Sequence, residues 1–477
     1  MASMRPEFLA LFVGYLALVL AAGLAFSRRM GSLEDFFLGG RRFPAGLIYV
    51  SLTSSWFGAT SVLVTADEAL RTGLGAIWVV GLPAVATVVL LAVVFARPLH
   101  RLSVLTWSEL VELRYGRLTR LLTAVLLGWY MAVLAASQMV ALGQFLKGFL
   151  GLSYAGSLLA GAAVVLLYAA AGGLRSVVFT DLLQFVLLVA GVAVLFFLAA
   201  GRAPWSDVVA AAQAGRPGYF RLFGNFPESG LMFLSFTLAW TISPIALQRI
   251  QAARSVGAAR RGLAATAATL LGLYILVVLA GMRSLPVFAG GPPANPLVAE
   301  LAAGRTSFLA GGLIFVAVLA AILSTMDTAV NAGALVLARD FLEKFVPSAR
   351  RRPVLWSRAA TLVVGLAALA VALRFRSVLR TIGLSSEIMA EGFFIPGLAM
   401  IFIKRPRPLA GLLSLVGGGG FAVASFLGAT GVLSLGLPAW PRSLPYGLAL
   451  SAAGFIVGSL AEKIRGHITY LSSKVDR

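Results

Sequence analysis

Thirteen stretches of about 20 apolar residues follow one another along this chain, and each is long enough to cross the hydrocarbon core of a membrane as a helix. The bilayer offers no water to free peptide groups, so apolar stretches of this length cross it as helices. Hydrophobic residues make up 60% of the chain and charged residues only 12%, against about 25% in soluble domains. The sequence therefore predicts an all-α polytopic membrane protein with about 13 transmembrane helices. The predicted spans lie near residues 8–26, 44–70, 75–96, 119–147, 153–171, 177–200, 231–252, 260–282, 306–338, 355–373, 380–403, 409–429 and 444–463.

The basic residues predict which side of the membrane each loop occupies. If residue 1 lies outside and the spans alternate, 27 of the 39 Lys and Arg residues fall in inside segments. This excess follows the positive-inside rule, so the formal net charge of +21 reflects topology and contact with anionic lipids rather than nucleic-acid binding. The first stretch lacks a small-residue cleavage site and precedes Arg28 and Arg29, so we expect it to be retained. We predict a multi-pass protein of the cell (plasma or inner) membrane with an outside N-terminus and a cytoplasmic C-terminus.

Several function classes lack the residues that they require. The chain has no cysteine, and its two histidines, His100 and His467, lie outside the apolar stretches, so a thiolate metal site or a cysteine nucleophile is excluded. No GxxxxGK[ST] phosphate loop and no TVGYG filter string occur, which disfavours a primary pump and a channel. Glu387 and Glu391 form a close carboxylate pair inside a span, and we expect them to face an outer vestibule. We predict that the protein is not an enzyme.

A polar stripe interrupts the apolar residues of the ninth span. On a helix, Ala321, Ser324, Asp327, Thr328 and Asn331 share a face about 120° wide, with Thr325 at its edge. Polar groups gathered on one intramembrane face suggest a lined site for a small ion or solute. For any single hydroxyl, a hydrogen bond to a neighbouring helix is an equally good explanation.

Two spans contain local interruptions at matching positions. Residues 51–61 of the second span are rich in small and hydroxyl residues, and Pro244 removes a backbone donor from the seventh. Broken helices at the membrane midplane are typical of inverted-repeat transporters. Each broken span is the first of five consecutive spans. Because five is an odd number of spans, the two halves have opposite orientations in the membrane. We predict an N-terminal extra helix and loop (1–43), a first repeat (44–200), an extracellular loop (201–230), a second repeat (231–405), and two C-terminal helices with a tail (406–477).

A set of ordered motifs covers about residues 34–405. The motifs are residues 35–41 (DFFLGGR), 56–59 (WFGA) and 172–184 (GGLRSVVFTDLLQ), then Gln248-Arg249, and Ser324-Thr325 followed by Asp340. With this set the chain resembles the sodium:solute symporter family, and parts of it are nearest to the proline- and pantothenate-type bacterial members. The resemblance implies a leucine-transporter fold, in which five plus five core helices form the inverted repeat and extra helices lie at both ends.

The resemblance also implies a sodium site where the first and eighth core helices cross. Its matching positions are the backbone carbonyls of Ser54, Phe57 and Ala321 and the hydroxyls of Ser324 and Thr325. Several neutral oxygens suit a hard monovalent cation.

Two carboxylates could take part in cation coupling. Asp181 matches a family carboxylate that affects coupling, although it could equally cap a helix or pair with Arg175. Asp327 departs from the family pattern, and it could support a second cation or a proton, or pair with a polar neighbour.

The resemblance constrains the solute less than the ion. Sugar-transporting members carry a Glu-Gln-like pair where this chain has Thr60 and Ser61, so sugar is disfavoured. The tyrosine and tryptophan used by the proline branch match Leu134 and Phe236, whereas its proline is kept as Pro244. The inferred substrate pocket consists of Trp56, Thr60, Ser61, Leu134, Gln138, Phe236, Trp240, Ser243 and Pro244.

This pocket is apolar with a few hydroxyl and amide groups, which suits a small solute with one polar or carboxylate end. The sequence thus predicts sodium-coupled symport of a small organic solute, of amino acid or monocarboxylate type rather than a sugar, by alternating access. Proton-coupled transport, uncoupled transport and a transporter-derived solute sensor are the alternatives. The expected partners are the solute, Na+ and membrane lipids, without nucleic acid, and the oligomeric state is left open.

Overall fold

The computed structural model describes residues 6–25, 33–102, 104–224, 226–288, 290–291, 293–303, 306–403, 407–429 and 435–475. Within these ranges all regular structure is helical, apart from one isolated parallel bridge between Phe43 and Ala253. The bridge ties the segment before the second predicted span to the segment that ends the seventh.

Up to residue 200 the described residues form nine α-helices, and the predicted interruption of the second span is present. The helix that begins this span ends at Trp56, because Phe57 leaves helical geometry with φ −92° and ψ 65°. A π-helical turn, Thr60–Val64, then leads into the next helix. The helices are α1 (Pro6–Ala25), α2 (Leu33–Leu38), α3 (Ala45–Trp56), α4 (Thr65–Thr72), α5 (Gly81–Leu90), α6 (Ala96–His100), α7 (Trp107–Tyr115), α8 (Arg117–Leu150) and α9 (Tyr154–Ala200).

The long helix α9 turns sharply at Gly173, where φ is +54° and ψ is −150°. L side chains rarely adopt this conformation, and a Cβ at residue 173 would lie 2.6 Å from the carbonyl oxygen of Phe36. The turn divides α9 into two helices, 154–174 and 176–200, each long enough to span a membrane. The predicted connection between 171 and 177 lies here.

The predicted interruption of the seventh span is also present. Helices 226–241 and 244–252 meet at an angle of 45°. Ser243 caps the second of them by accepting a hydrogen bond from the amide of Ile245, and Pro244 occupies its first turn, where no donor is needed. The helices are α10 (Trp205–Gly215), α11 (Phe226–Thr241), α12 (Pro244–Ala252), α13 (Val256–Arg283), α14 (Leu297–Ala303), α15 (Phe308–Val336), α16 (Glu343–Phe345), α17 (Pro347–Arg351), α18 (Pro353–Arg374), α19 (Val378–Ile388) and α20 (Phe394–Phe402).

Two long helices, α21 (Pro408–Ala429) and α22 (Leu444–Val475), pack against each other at the C-terminal end. Seven short segments complete the helical structure of the described residues. Three are 3-10 turns, Gly39–Arg41, Gly73–Trp78 and Leu285–Phe288, and four are π-helical, Thr60–Val64, Leu91–Phe95, Leu337–Leu342 and Met389–Phe393.

Among the described residues, eleven helices are long and apolar enough to cross a membrane, or twelve if the bent pair α11–α12 is counted as one span. The multi-pass helical fold is therefore confirmed, whereas the exact number of thirteen stays a prediction. The structure gives fewer spans than the thirteen predicted because residues 60–100, which include the end of the predicted second span and all of the predicted third span, count as one 41-residue element. If straight, it would measure about 60 Å, twice the thickness of the hydrocarbon core. It contains a 3-10 turn at Gly73, where φ is +70°, close to the predicted boundary between two spans.

Helix α15 lies at the centre of the molecule. All of its residues from 317 to 336 are buried, and it packs against α3, α8, α9 and α18. Its polar stripe therefore faces protein rather than lipid, and it meets α3 next to the break.

Candidate functional site

Two hydroxyls of α15 meet the carbonyl oxygens at the end of α3. The Ser324 hydroxyl lies 2.9 Å from the carbonyl oxygen of Ser54 and 3.2 Å from that of Ala321. The Thr325 hydroxyl lies 3.0 Å from the carbonyl oxygen of Ser55 and 3.1 Å from that of Ala321. All five residues are buried. The result is a compact group of two hydroxyl and three carbonyl oxygens, which we call the oxygen cluster.

Phe57 and Gly58 place the break of α3 beside this cluster. A Cβ at Gly58 would lie 2.4 Å from the hydroxyl of Thr325, so only glycine permits this approach of the two helices. The preceding residue, Phe57, packs its buried ring against Tyr274, at 5.1 Å between ring centroids. On the other side of the break, the side-chain oxygen of Gln138 accepts the amide hydrogen of Ala59 at 2.9 Å. The free backbone groups of the break are thus met by side chains from α8 and α15.

A cavity of about 40 Å³ adjoins the oxygen cluster. Its walls come from the broken helices of both halves, from α8, α15 and α19, and they carry no charged side chain. Thr325 belongs both to the cavity wall and to the oxygen cluster. The lining residues are Ser55, Trp56, Gly58, Thr60, Tyr130, Leu134, Gln138, Trp240, Ser243, Ile245, Thr325 and Ile382.

Six of the nine predicted substrate residues line this cavity, namely Trp56, Thr60, Leu134, Gln138, Trp240 and Ser243. The other three lie around it. The hydroxyl of Ser61 pairs with that of Tyr274 at 2.6 Å, and Phe236 stacks on Trp240 at 4.8 Å between ring centroids. Pro244 shapes the start of α12 instead of lining the cavity.

Sequence reasoning did not assign Ser55, Gly58, Tyr130, Ile245 or Ile382 to the pocket. Ser55 and Gly58 belong to the interrupted segment 51–61. Tyr130 lies four residues before Leu134, on the same face of α8. These three positions carried a usable signal, whereas Ile382 comes from a distant helix whose sequence does not indicate a site.

Asp181 is completely buried beside the oxygen cluster. One of its carboxylate oxygens accepts a hydrogen bond from the hydroxyl of Ser51 at 2.5 Å and lies 3.7 Å from the guanidinium of Arg249. Its backbone carbonyl accepts the hydroxyl of Ser54 at 3.0 Å. The side chain of Arg175, the alternative partner, is outside the described residues. Asp181 therefore touches α3 directly at Ser51 and Ser54, and the carbonyl of Ser54 is one of those that the hydroxyls of α15 meet.

Asp327 is also completely buried and accepts the hydroxyl of Tyr168 at 2.5 Å. Its other carboxylate oxygen has no hydrogen-bond partner among the described atoms. Arg249 donates to the hydroxyl of Thr328 at 3.0 Å, next to Asp327 in α15. Arg249 is thus the guanidinium that lies near both carboxyl groups, Asp181 and Asp327. A buried carboxylate without a full complement of partners is costly, so this region can hold one more positive charge or a proton.

The chain is similar to several sodium-coupled transporters. The human sodium/iodide cotransporter is 29% identical over 471 residues, covering 89% of this chain and 71% of its own length. The Vibrio parahaemolyticus sodium/glucose cotransporter is 26% identical, with 82% and 79% covered. Human sodium-coupled monocarboxylate transporter 1 is 25% identical, with 91% and 75% covered.

Among solved structures, a substrate-bound, outward-open Na+-coupled sialic acid symporter aligns with a TM-score of 0.78 at 20% identity, covering 95% of this chain and 97% of that one. This likeness establishes the fold. The sequence model of the sodium:solute symporter family matches residues 36–418. The match extends from the segment before the first break to α21, and family members are transporters rather than enzymes. The chain belongs to the sodium:solute symporter family.

Proposed function

We propose that the protein binds sodium at the oxygen cluster, with Phe57 as a further carbonyl ligand, and carries its solute in the adjoining cavity. The observation that carries this proposal is the meeting of the Ser324 and Thr325 hydroxyls with the carbonyls of Ser54 and Ala321. Hydroxyl and carbonyl oxygens replace the hydration shell of a monovalent cation without adding fixed negative charge. The resident ion is a transported co-substrate that moves with the solute.

The shared wall supports coupling between ion and solute. Thr325 contributes to both sites, and the break that contains Gly58 separates Ser54 from Thr60 by only six residues. Sodium held between α3 and α15 would fix the position of the break, and the break carries part of the solute cavity. Ion binding therefore orders the solute site before the solute arrives.

The cavity favours a small solute of the monocarboxylate or amino acid type over a sugar. Its volume of about 40 Å³ is far below the several hundred Å³ of pockets that enclose drug-sized ligands. Leu134, Ile245 and Trp240 give it an apolar wall, and Gln138 and Ser243 offer polar groups for one hydrophilic end. With no charge in the wall, a carboxylate would be balanced by the adjacent sodium ion.

A second coupling cation or a proton at Asp327 is a further candidate. It is supported by the carboxylate oxygen of Asp327 that has no partner among the described atoms. Replacing Asp327 by Asn would remove the charge while keeping the size of the side chain. Sodium activation that becomes less steep, with solute binding retained, would support this second site, and an unchanged steepness would reject it.

The primary test is uptake into proteoliposomes with and without an inward sodium gradient, using a short monocarboxylate, proline and glucose as solutes. The double variant Ser324→Ala/Thr325→Ala should weaken sodium activation by about tenfold or more, because it removes two ion ligands. The control Ser414→Ala removes a buried hydroxyl of α21 that pairs with Ser451 at 2.9 Å, and neither residue belongs to the oxygen cluster or to the cavity wall. It should keep the parent's activation curve. A double variant with the parent's curve would refute the assigned sodium site.

A further inference from the structure

The sequence predicted that Glu387 and Glu391 face an outer vestibule, but both carboxyl groups are completely buried. Glu387 lies in the last turn of α19, and Glu391 lies in the π-helical segment Met389–Phe393. The backbone of Glu391 is in close contact with α21, since a Cβ at Gly418 would lie 1.9 Å from its carbonyl oxygen. The pair therefore lies where the end of α19 packs against the two C-terminal helices, outside the candidate sodium and solute sites.

Among the described residues, the hydrogen-bond partners of the two carboxyl groups are hydroxyl groups. The Ser425 hydroxyl of α21 lies 2.9 Å from one oxygen of Glu387, and the Ser443 hydroxyl lies 2.9 Å from one oxygen of Glu391. The second oxygen of each carboxyl is buried and has no hydrogen-bond partner among the described atoms. The two carboxyl groups lie one helical turn apart in a low-dielectric site. If both were ionised, they would lack sufficient hydrogen-bond donors and would repel each other, which is strongly unfavourable.

No basic residue in the described part of the chain compensates for this charge. Arg380 is exposed and donates to the carbonyl of Ala429 at 2.9 Å, and Arg442 is exposed. Helices α20 and α21 and the segment Thr60–Val64 carry no ionisable side chain among the described residues. On the other packed helices, the ionisable side chains of the described residues are Arg117, Arg120, Tyr130 and Lys147 on α8, Glu228 on α11, and, through residue 465, Tyr446, Glu462, Lys463 and Arg465 on α22. Of these, Tyr130 lines the solute cavity, and Tyr446 is exposed and precedes Gly447, where a Cβ would lie 1.9 Å from a carboxylate oxygen of Glu391.

The geometry around Ser425 supplies an independent indication of a bound proton. Its hydroxyl oxygen lies 2.9 Å from both Glu387 and the carbonyl oxygen of Pro438. A hydroxyl has one hydrogen, and a carbonyl oxygen can only accept. If the hydrogen goes to Pro438, the contact with Glu387 is a hydrogen bond only when Glu387 donates. Both contacts are satisfied together when Glu387 is a carboxylic acid.

We propose that Glu387 and Glu391 form an intramembrane proton-binding site that holds one proton and thereby fixes α19 against the C-terminal helices and α11. The connection to α11 runs through Trp440. Its ring covers Gly383 of α19, where a Cβ would lie 2.6 Å from the ring, and its indole N–H donates to Ser235 of α11 at 3.0 Å.

The site is linked to the solute cavity through α19. Ile382, which lines the cavity, is the neighbour of Gly383 and lies five residues before Glu387. When pH rises and the pair loses its proton, two like charges repel inside the membrane and the packing of α19 weakens. Solute uptake should therefore fall as pH rises, and this last step rests on the proposed function of the cavity.

The first experiment tests proton binding without transport. Purified protein should show the infrared carbonyl stretch of buried carboxylic acids, and this band should lose intensity in Glu387→Gln/Glu391→Gln, whereas any part of it that belongs to Asp327 should remain. Thermal stability should fall with rising pH in the parent protein, because the folded state binds the proton more tightly than the unfolded state. The fall should be reduced in the double variant. Glu462→Gln, a control that removes a carboxyl bonded to the amide of Leu409, should keep both properties of the parent.

The second experiment measures the pH profile of sodium-driven uptake. Ser443→Ala removes the donor that stabilises the ionised form of Glu391, so the decline in uptake should shift to higher pH while both carboxyls remain. Sodium activation at low pH should match the parent. An acid band of equal intensity in the parent and the double variant, or a double variant with the parent's pH dependence, would overturn the proton site. An acid band with pH-independent uptake would leave a proton site without the link to transport and would reject that link alone.

Discussion

At residue 58 the chain lacks a side chain, and the surrounding atoms show what a methyl group would displace. A Cβ there would lie 2.4 Å from the hydroxyl of Thr325 and 2.9 Å from the side-chain oxygen of Gln138. Thr325 is held by two carbonyl oxygens, and Gln138 holds the amide of Ala59. One of these arrangements has to give way if residue 58 gains a methyl group.

We therefore expect Gly58→Ala to reduce sodium-driven uptake by about tenfold or more, because it displaces a proposed sodium ligand or opens the break. The measurement is initial uptake rate against sodium concentration, at matched amounts of inserted protein. Gly46→Ala, near the start of the same span, places its Cβ where no atom lies within 4 Å and should behave as the parent. Equal sodium activation in the two variants would show that the contact with Thr325 is unimportant.

At the scale of helices, the sequence indicated both breaks because local chemistry produces them. Pro244 cannot donate to the preceding turn, and the run of small and hydroxyl residues at 51–61 offers little side-chain packing to hold a helix straight. The polar stripe of α15 was visible for the same reason, since helical periodicity places Ser324 and Asp327 on one face. Most of the oxygen cluster follows from these local features together with the family resemblance.

What the sequence could not indicate depends on contacts between distant elements. Trp440 reaches α11 and α19 from the segment before α22, and Ile382 reaches the cavity from α19. Nothing in the spacing of either residue distinguishes it from an ordinary packing residue. The orientation of Ser61 toward Tyr274 was equally hidden, because the π-helical turn at Thr60–Val64 changes which face each residue presents.

For the whole molecule, the cavity lies where the two predicted repeats meet. Its walls include Trp56 and Gln138 from the predicted first repeat and Trp240, Thr325 and Ile382 from the predicted second. We expect the two broken helices, with the rest of their bundle, to rock against a scaffold of the other helices, which would change access to the cavity from either side as alternating access requires. Which side is outside is proposed from the basic residues, with the N-terminus outside and the C-terminus cytoplasmic.

This orientation can be tested by thiol labelling, because the chain has no cysteine and each introduced thiol is without background. An impermeant reagent should label Gly215→Cys in sealed right-side-out cells, and it should label Arg350→Cys only after the membrane is opened. Both positions are exposed. Helix α15, with 29 residues and a length of about 43 Å, separates the loop before it from the segment that contains Arg350. Labelling of Arg350→Cys in sealed cells would reverse the proposed orientation.

Coupling between sodium and solute is a property of the whole molecule, and thermodynamic linkage fixes its form. Sodium between Ser54 and Thr325 would hold the break in place, so solute should meet a cavity that is already ordered. Linkage requires that the solute raise sodium affinity by the same factor by which sodium raises solute affinity. For coupling energies of about 1 to 3 kcal/mol this factor lies between roughly 5 and 150.

Calorimetric titration of the purified protein in both orders measures the two factors, with choline replacing sodium in the reference titration. We expect the factors to agree, and we expect Ser324→Ala/Thr325→Ala to bring both close to one while solute still binds, because the cavity keeps most of its wall. Ser414→Ala should retain the parent's factors. Equal solute affinity in saturating sodium and in choline would contradict coupling through the break. Coupling in the parent that persisted in the double variant would place the sodium ion elsewhere in the molecule.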